Sequence, residues 1–144
     1  MLVSDVLHAK GSELFTIDPE ATVQEAIAKM VQKNIGSLPV VDHDGRLIGL
    51  FAERDVLRTF HNRGDGCNRL SISHVMTTNP LTCRSDDNVN DIMGQMTEKR
   101  APKIPVVDGD KLVGIISVGD IVKVMYEKVS TENRHLISYI HGAV

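Results

Sequence analysis

Apolar residues at Val23, Ala26, Ile27, Met30 and Val31 follow the i, i+3, i+4, i+7, i+8 spacing that lines one face of a helix. Thr22, with Glu25 three residues on, has the form of a capping box in front of it. The pattern returns at Val89, Ile92, Met93 and Met96, behind Asn88 and with Asp91 in the place of Glu25. After each helix the period changes. A short apolar run ends in Val-Val-Asp, at residues 38–42 and again at 104–108. A turn follows, Asp44-Gly45 or Gly109-Asp110, and then a second apolar run at 47–51 or 112–116, which together predict a hairpin. A further helix begins near Glu53 or Val118.

The chain is therefore an internal repeat. Pro39 aligns with Pro105, Gly49 with Gly114, Asp55 with Asp120, and residues 3–7 with 72–76. The first copy carries extra residues near 8–12 and one at the turn 43–45, where insertions in loops are tolerated. The expected fold is α/β (α+β): two repeats, each a short β-α-β-β-α unit, packed sheet to sheet about a pseudo-twofold axis. The expected divisions are 1–62 for the first repeat, 63–71 for a connector, 72–127 for the second repeat and 128–144 for a helical tail. A unit of about 55–60 residues is near the lower limit for a self-sufficient core, so two should pack together and leave two equivalent clefts.

The junction of last strand and last helix carries the most chemistry. In the second copy, Ser117 stands where an N-cap belongs, and the free N–H groups behind it favour anions such as phosphate. Asp120, one turn in, offers a carboxylate suited to the paired hydroxyls of a ribose. Gly114 would let the backbone approach a ligand closely. The alternative is that Ser117 and Asp120 only cap a helix. The first copy keeps Gly49 and Asp55 but has Ala52 in place of the hydroxyl, and retention of the acid without a capping side chain tilts the reading toward a ligand.

The repeated Pro-Val-Val-Asp hairpin, the Gly-x-x-Ser-x-x-Asp junction and the Val75-Met76-Thr77 lead-in resemble a pair of cystathionine-β-synthase (CBS) domains, the arrangement called a Bateman module. The similarity runs from about residue 3 to 126, twice and in order, and is closest in wording to stand-alone CBS-pair proteins. It implies a regulatory fold whose clefts bind AMP, ADP, ATP, NAD(H) or S-adenosylmethionine, with no required cofactor. By that resemblance Asp120 and Asp55 hold riboses and Ser117 assists the first. Adenine sits by Thr77 and Pro80 in one copy and by Ile35, Gly36 and Ser37 in the other. Each acid works with the lead-in of the opposite repeat: Asp120 with residues 10–15, including Lys10 and Phe15, and Asp55 with residues 77–82, including Thr77 and Thr82. Arg54, Arg58, Lys103 and Lys123 stand where phosphates could be met. Ala52 and His8-Ala9-Lys10 depart from the family wording, so the two clefts should bind unequally.

Composition narrows the alternatives. Of 144 residues, 42% are hydrophobic and 24% charged, as in an ordinary globular protein. A net charge of −3, no Trp and 3% aromatics leave nucleic-acid binding unsupported. No apolar run approaches a membrane span and no signal-like start is seen, so a cytoplasmic location without membrane attachment is expected. His61, Cys67 and His74 match no closed zinc spacing, and Cys67 and Cys83 form no redox motif. Nucleophile-elbow and Walker motifs are absent, which points away from catalysis. The expected partners are an adenosine-containing small molecule, a second copy of the chain in a homodimer, and an unidentified effector protein. The apolar residues of 128–144 need a covering surface, either the chain's own module or that second copy. A structural dimerisation module without a physiological ligand is the alternative function.

Overall fold

The computed structural model describes residues 1–11 and 13–141; Ser12, in the expected insertion, and 142–144, the end of the expected tail, lie outside them. The elements run α1 (Val3–Lys10), α2 (Val23–Lys33), β1 (Ser37–Val41), β2 (Leu47–Ala52), α3 (Glu53–Arg63), the 3-10 turns Cys67–Arg69 and Ile72–His74, β3 (Thr77–Thr78), α4 (Val89–Glu98), β4 (Lys103–Asp108), β5 (Lys111–Ser117) and α5 (Val118–Ile140). This is the expected mixed fold, with the helix–hairpin–helix order present twice.

The helices start as their sequences require. Thr22 Oγ1 accepts a hydrogen bond from Glu25 N at 3.1 Å, and Asn88 Oδ1 accepts one from Asn90 N at 2.8 Å. Val23, Ala26 and Met30 turn into the core, whereas Val31, counted in the same stripe, is 75% exposed. The stripe is one residue narrower than its spacing implies. Asn34 ends α2 with φ 53°, and Arg100 takes φ 52° at the matching place after α4. The second repeat thus keeps the left-handed backbone of the first without the residue type that favours it.

β1 pairs with β2 and β4 with β5, antiparallel, with a bulge in each at Val40/Val41 and Val106/Val107. The leading strand of each unit is much shorter than expected. It shrinks to one parallel bridge, Ile17 to Val40 and Cys83 to Val106. Ile17 N donates to Pro39 O and Cys83 N to Pro105 O, and Val41 N and Val107 N return bonds to Ile17 O and Cys83 O. The next rung of a parallel ladder would use the N–H of Pro39 or Pro105. Proline has none, so each ladder stops there.

The sequence repeats and the packed units differ at their leading ends. Residues 3–10 form the helix α1. Its Val3 and Val6 are fully buried among Val89, Ile92, Met96, Ile104, Val106, Ile116 and Ile121 of the second repeat. Reciprocally, Ile72 is fully buried among Val23, Leu38, Val40 and Phe51 of the first, and β3 adds a short third strand to β2 through Leu50–Thr77 and Gly49–Thr78. Backbone bonds fasten both exchanges: Val3 N to Asp87 O and Val89 N to Met1 O on one side, Val23 N to Leu70 O and Ile72 N to Ala21 O on the other.

The two junction glycines explain themselves here. A Cβ at Gly114 would lie 2.6 Å from Leu7 Cδ2, and one at Gly49 would lie 2.9 Å from Met76 Cγ and 3.0 Å from Thr77 O. Each glycine makes room for the lead-in of the opposite repeat, which corrects the expectation that Gly114 admits a ligand. The connector is also tighter than a linker, since Cys67 within it is buried. No break separates a tail from the second repeat: α5 runs unbroken from Val118 to Ile140. Val124 and Met125 still pack on the second core, but from Tyr126 on the large apolar side chains Tyr126, Val129, Leu136, Ile137, Tyr139 and Ile140 are all exposed, so residues 126–140 do not dock on their own module.

Candidate functional site

The exchange of lead-ins builds two clefts, each floored by a helix start of one repeat and closed by the lead-in of the other. The smaller, about 260 Å³, is lined by Ser117 and Asp120 of the α5 start, Lys10 and Phe15, the loop Ile35-Gly36-Ser37, and Lys103. The larger, about 520 Å³, is lined by Arg54, Asp55 and Arg58 of α3, by Thr77 and Pro80, and again by Gly36 and Lys103. Thirteen of the fifteen ligand-contact residues singled out from sequence line one cleft or the other. Thr82 is exposed and lines neither, and Lys123 is likewise exposed and away from both.

In the smaller cleft Asp120 Oδ2 accepts hydrogen bonds from Ser117 N at 2.8 Å and from Lys10 Nζ at 2.9 Å, while Ser117 Oγ accepts one from Asp120 N at 3.0 Å. Lys10 Nζ also donates to Ile115 O at 2.7 Å. The capping box is complete, and the acid is ion-paired across the repeat boundary with side chains still 31% and 26% exposed. Burial pushes the Asp120 carboxyl up. The Lys10 and Ser117 hydrogen bonds and the Lys10 charge outweigh it and hold the carboxyl below its ordinary value. It is an anion at neutral pH, and among the described residues no hydrogen bond is made to its Oδ1.

In the larger cleft Asp55 is buried, 4% exposed. Its Oδ1 accepts from Thr77 Oγ1 at 2.7 Å and from Arg58 at 3.4 Å, and its Oδ2 accepts from Ala52 N at 2.8 Å. The last bond revises one inference from sequence. Asp55 supplies its half of a capping box even though Ala52 cannot supply the other, so its presence there has a structural reason independent of any ligand. Both acids thus hold a helix start and reach across to the other repeat's lead-in.

The clefts differ in charge. Arg54, Arg58, Lys99, Arg100 and Lys103 face Glu53 and Asp55 in the larger, an excess of cations. In the smaller, Lys10 and Lys103 are balanced by Glu13 and Asp120. Lys99, Arg100, Ala101 and Pro102 escaped the sequence reading, although Arg100-Ala101-Pro102 occupies the repeat position of Asn34-Ile35-Gly36. Carrying the loop assignment across the repeat would have found them. Gly36 separates the clefts. A Cβ there would collide with Lys103 Nζ and lie 2.7 Å from Glu53 Oε1. Among the described residues no group of three His, Cys, Asp or Glu side chains is placed to hold a metal ion. No helix among them is long and apolar enough to cross a membrane. Cys83 is buried, and desolvation, with Asp87 and Asp108 nearby, pushes its thiol up to about 12.

A family model for the CBS domain matches residues 3–62 and again 72–127. The chain belongs to the CBS-domain family. As a tandem CBS pair it is 33% identical over 120 residues to the CBS domain-containing protein YhcV of Bacillus subtilis (strain 168), covering 83% of this chain and 84% of that protein. The CBS-domain containing protein ATU1752 of Agrobacterium tumefaciens superposes with a TM-score of 0.82 at 34% identity, over 87% of this chain and 99% of that one. The CBS domain pair of protein MJ0100, solved in complex with 5′-methylthioadenosine and S-adenosyl-L-methionine, superposes with a TM-score of 0.77 at 28% identity, over 89% and 98% of the two chains. Two CBS repeats that trade their leading segments account for the pairing of Asp120 with Lys10 and of Asp55 with Thr77.

Proposed function

We propose that this CBS pair is a regulatory, non-catalytic module that binds adenosine-containing ligands in its two clefts and passes occupancy to a partner protein. The reading rests on one observation: in each cleft a helix-start carboxylate of one repeat meets the lead-in of the other, so a ligand on that carboxylate touches both repeats at once. A ribose would take hydrogen bonds to Asp120 Oδ1 in the smaller cleft and would displace the Thr77 hydroxyl from Asp55 in the larger. The adenine would lie by Ile35 and Gly36, or by Pro80 and Ala101. Contact with both repeats makes affinity depend on their arrangement, and that differential affinity is what allows binding to shift one arrangement over another.

The charge difference supports a division of ligands between the clefts. The cationic Asp55 cleft suits a phosphate-bearing nucleotide such as ATP, ADP, AMP or NAD(H). The charge-balanced Asp120 cleft suits an adenosyl compound without phosphates, the chemistry of the two ligands of MJ0100. The module works as a homodimer. The pseudo-equivalent Leu57 of α3 and Val122 of α5 are 73% and 51% exposed, and Phe60 beside Leu57 is 44% exposed, an apolar surface a second copy would cover.

Calorimetric titration with ATP, AMP, NADH, S-adenosylmethionine and 5′-methylthioadenosine tests the assignment. Asp55→Asn should weaken the phosphate-bearing ligands about tenfold or more, one lost charged hydrogen bond, and leave the others unchanged; Asp120→Asn should do the reverse. A flat response of the wild-type chain to all five at millimolar concentration would leave a dimerisation module without a ligand.

A further inference from the structure

The exposed apolar side chains of α5 follow a second period. Val122, Tyr126, Val129, Leu136 and Ile140 are 51%, 72%, 61%, 57% and 67% exposed, and their spacing alternates four and three residues. With Asn133 filling the one remaining place, they occupy consecutive d and a positions of a heptad: d at 122, 129 and 136, a at 126, 133 and 140. The helix rests on its own module through Ile121, Val124 and Met125, so the seam runs along the side that the module leaves open.

We infer that the C-terminal half of α5 pairs with the same segment of a second copy as a parallel two-stranded coiled coil. It rests on and deepens the homodimer reading above by continuing the unit-helix surface at Leu57 and Val122 along α5 beyond the module. Three observations select this occupant. First, the free part of the helix, about 15 residues beyond the module, is marginal in water without a partner, yet it is helical to Ile140. Second, the seam and its flanking Ile137 (e) and Tyr139 (g) present seven large apolar side chains, each at least half exposed in the protomer, a contiguous apolar surface of the kind that marks an interface. Third, Asn133 is the only polar residue on the seam, at an a position. In a parallel, in-register pair it meets its own copy and the two amides bond each other, whereas in an antiparallel pair a faces d and one amide is stranded against Val129 or Leu136. Charge agrees: Glu127, Lys128, Arg134 and His135 fall on the outer b and c positions, Lys123 and Glu132 on the flanking e and g positions, and the a and d positions carry no charge.

Sedimentation of the full chain with Leu136→Asp and, separately, Leu57→Asp tests this, because Leu136 and Leu57 are exposed in the protomer and neither supports its core. The expected result is a wild-type dimer whose dissociation constant rises at least tenfold in Leu136→Asp. In a third variant, Asn133→Cys, mild oxidation should give a covalent dimer, the native Cys67 and Cys83 being buried. If Leu57→Asp alone weakens the dimer, the homodimer stands and the coiled coil is overturned. A wild-type chain that is monomeric at 100 µM overturns both. A dimer sensitive to Leu136→Asp that Asn133→Cys fails to cross-link overturns the parallel register.

Discussion

Val6 belongs to the lead-in of the first repeat, yet it is fully buried in the second repeat's core. Truncation to alanine removes two methyl equivalents, about 1.6 kcal/mol at ~0.8 kcal/mol each. A residual cavity on the order of 40 Å³ adds about 1 kcal/mol at ~24 cal/mol per Å³. Val6→Ala should therefore destabilise the protein by about 2–3 kcal/mol, a fall in Tm of roughly 6–12 °C for a chain of this length. Urea unfolding followed by far-UV circular dichroism measures it. Where Val6 acts can be read as well. In a double-mutant cycle it should couple to Ile121→Val, which shares its cluster, and add independently with Val23→Ala, which belongs to the other core. A loss below about 0.5 kcal/mol, the size expected of a surface position, or coupling to Val23 in place of Ile121, would refute the exchange of leading segments.

Ala52→Ser should stabilise the chain by about 0.5–1 kcal/mol, measured as a rise in Tm, because Ala52 holds φ −122° and ψ 172°, close to the −115° and 163° of Ser117, and lacks only the hydroxyl. Asp120 ionises below its ordinary 3.8 in the folded chain, so its contribution is complete above about pH 4 and lost as pH falls through the folded value. Urea unfolding at pH 7, 4 and 3 should show wild type losing its advantage over Asp120→Asn only at the acid end; a constant gap would refute the Lys10 pairing as its source. Cys83, buried and raised to about 12, should resist a disulfide reagent in the native protein at pH 8 and react once urea unfolds it.

The pattern of apolar residues determined α2, α3, α4 and the start of α5, the two hairpins, their turns and the repeat that relates them, because each depends on neighbours within about a dozen positions. Asp120, Ser117 and Asp55 could be picked out for the same reason: a residue at a helix start is legible from the helix that follows it. Three features lay beyond that reach. The leading strands shrink to single bridges because Pro39 and Pro105 withhold an N–H from a partner more than 20 residues away in sequence, a consequence visible only once the partner is placed. Val3 and Ile72 look like the first residues of their own repeats, and only three-dimensional packing sends each into the opposite core. Gly114 and Gly49 could serve a ligand or a neighbour equally well by sequence. The structure decides for Leu7 and Met76, since what a glycine makes room for is set by whatever the rest of the chain brings against it.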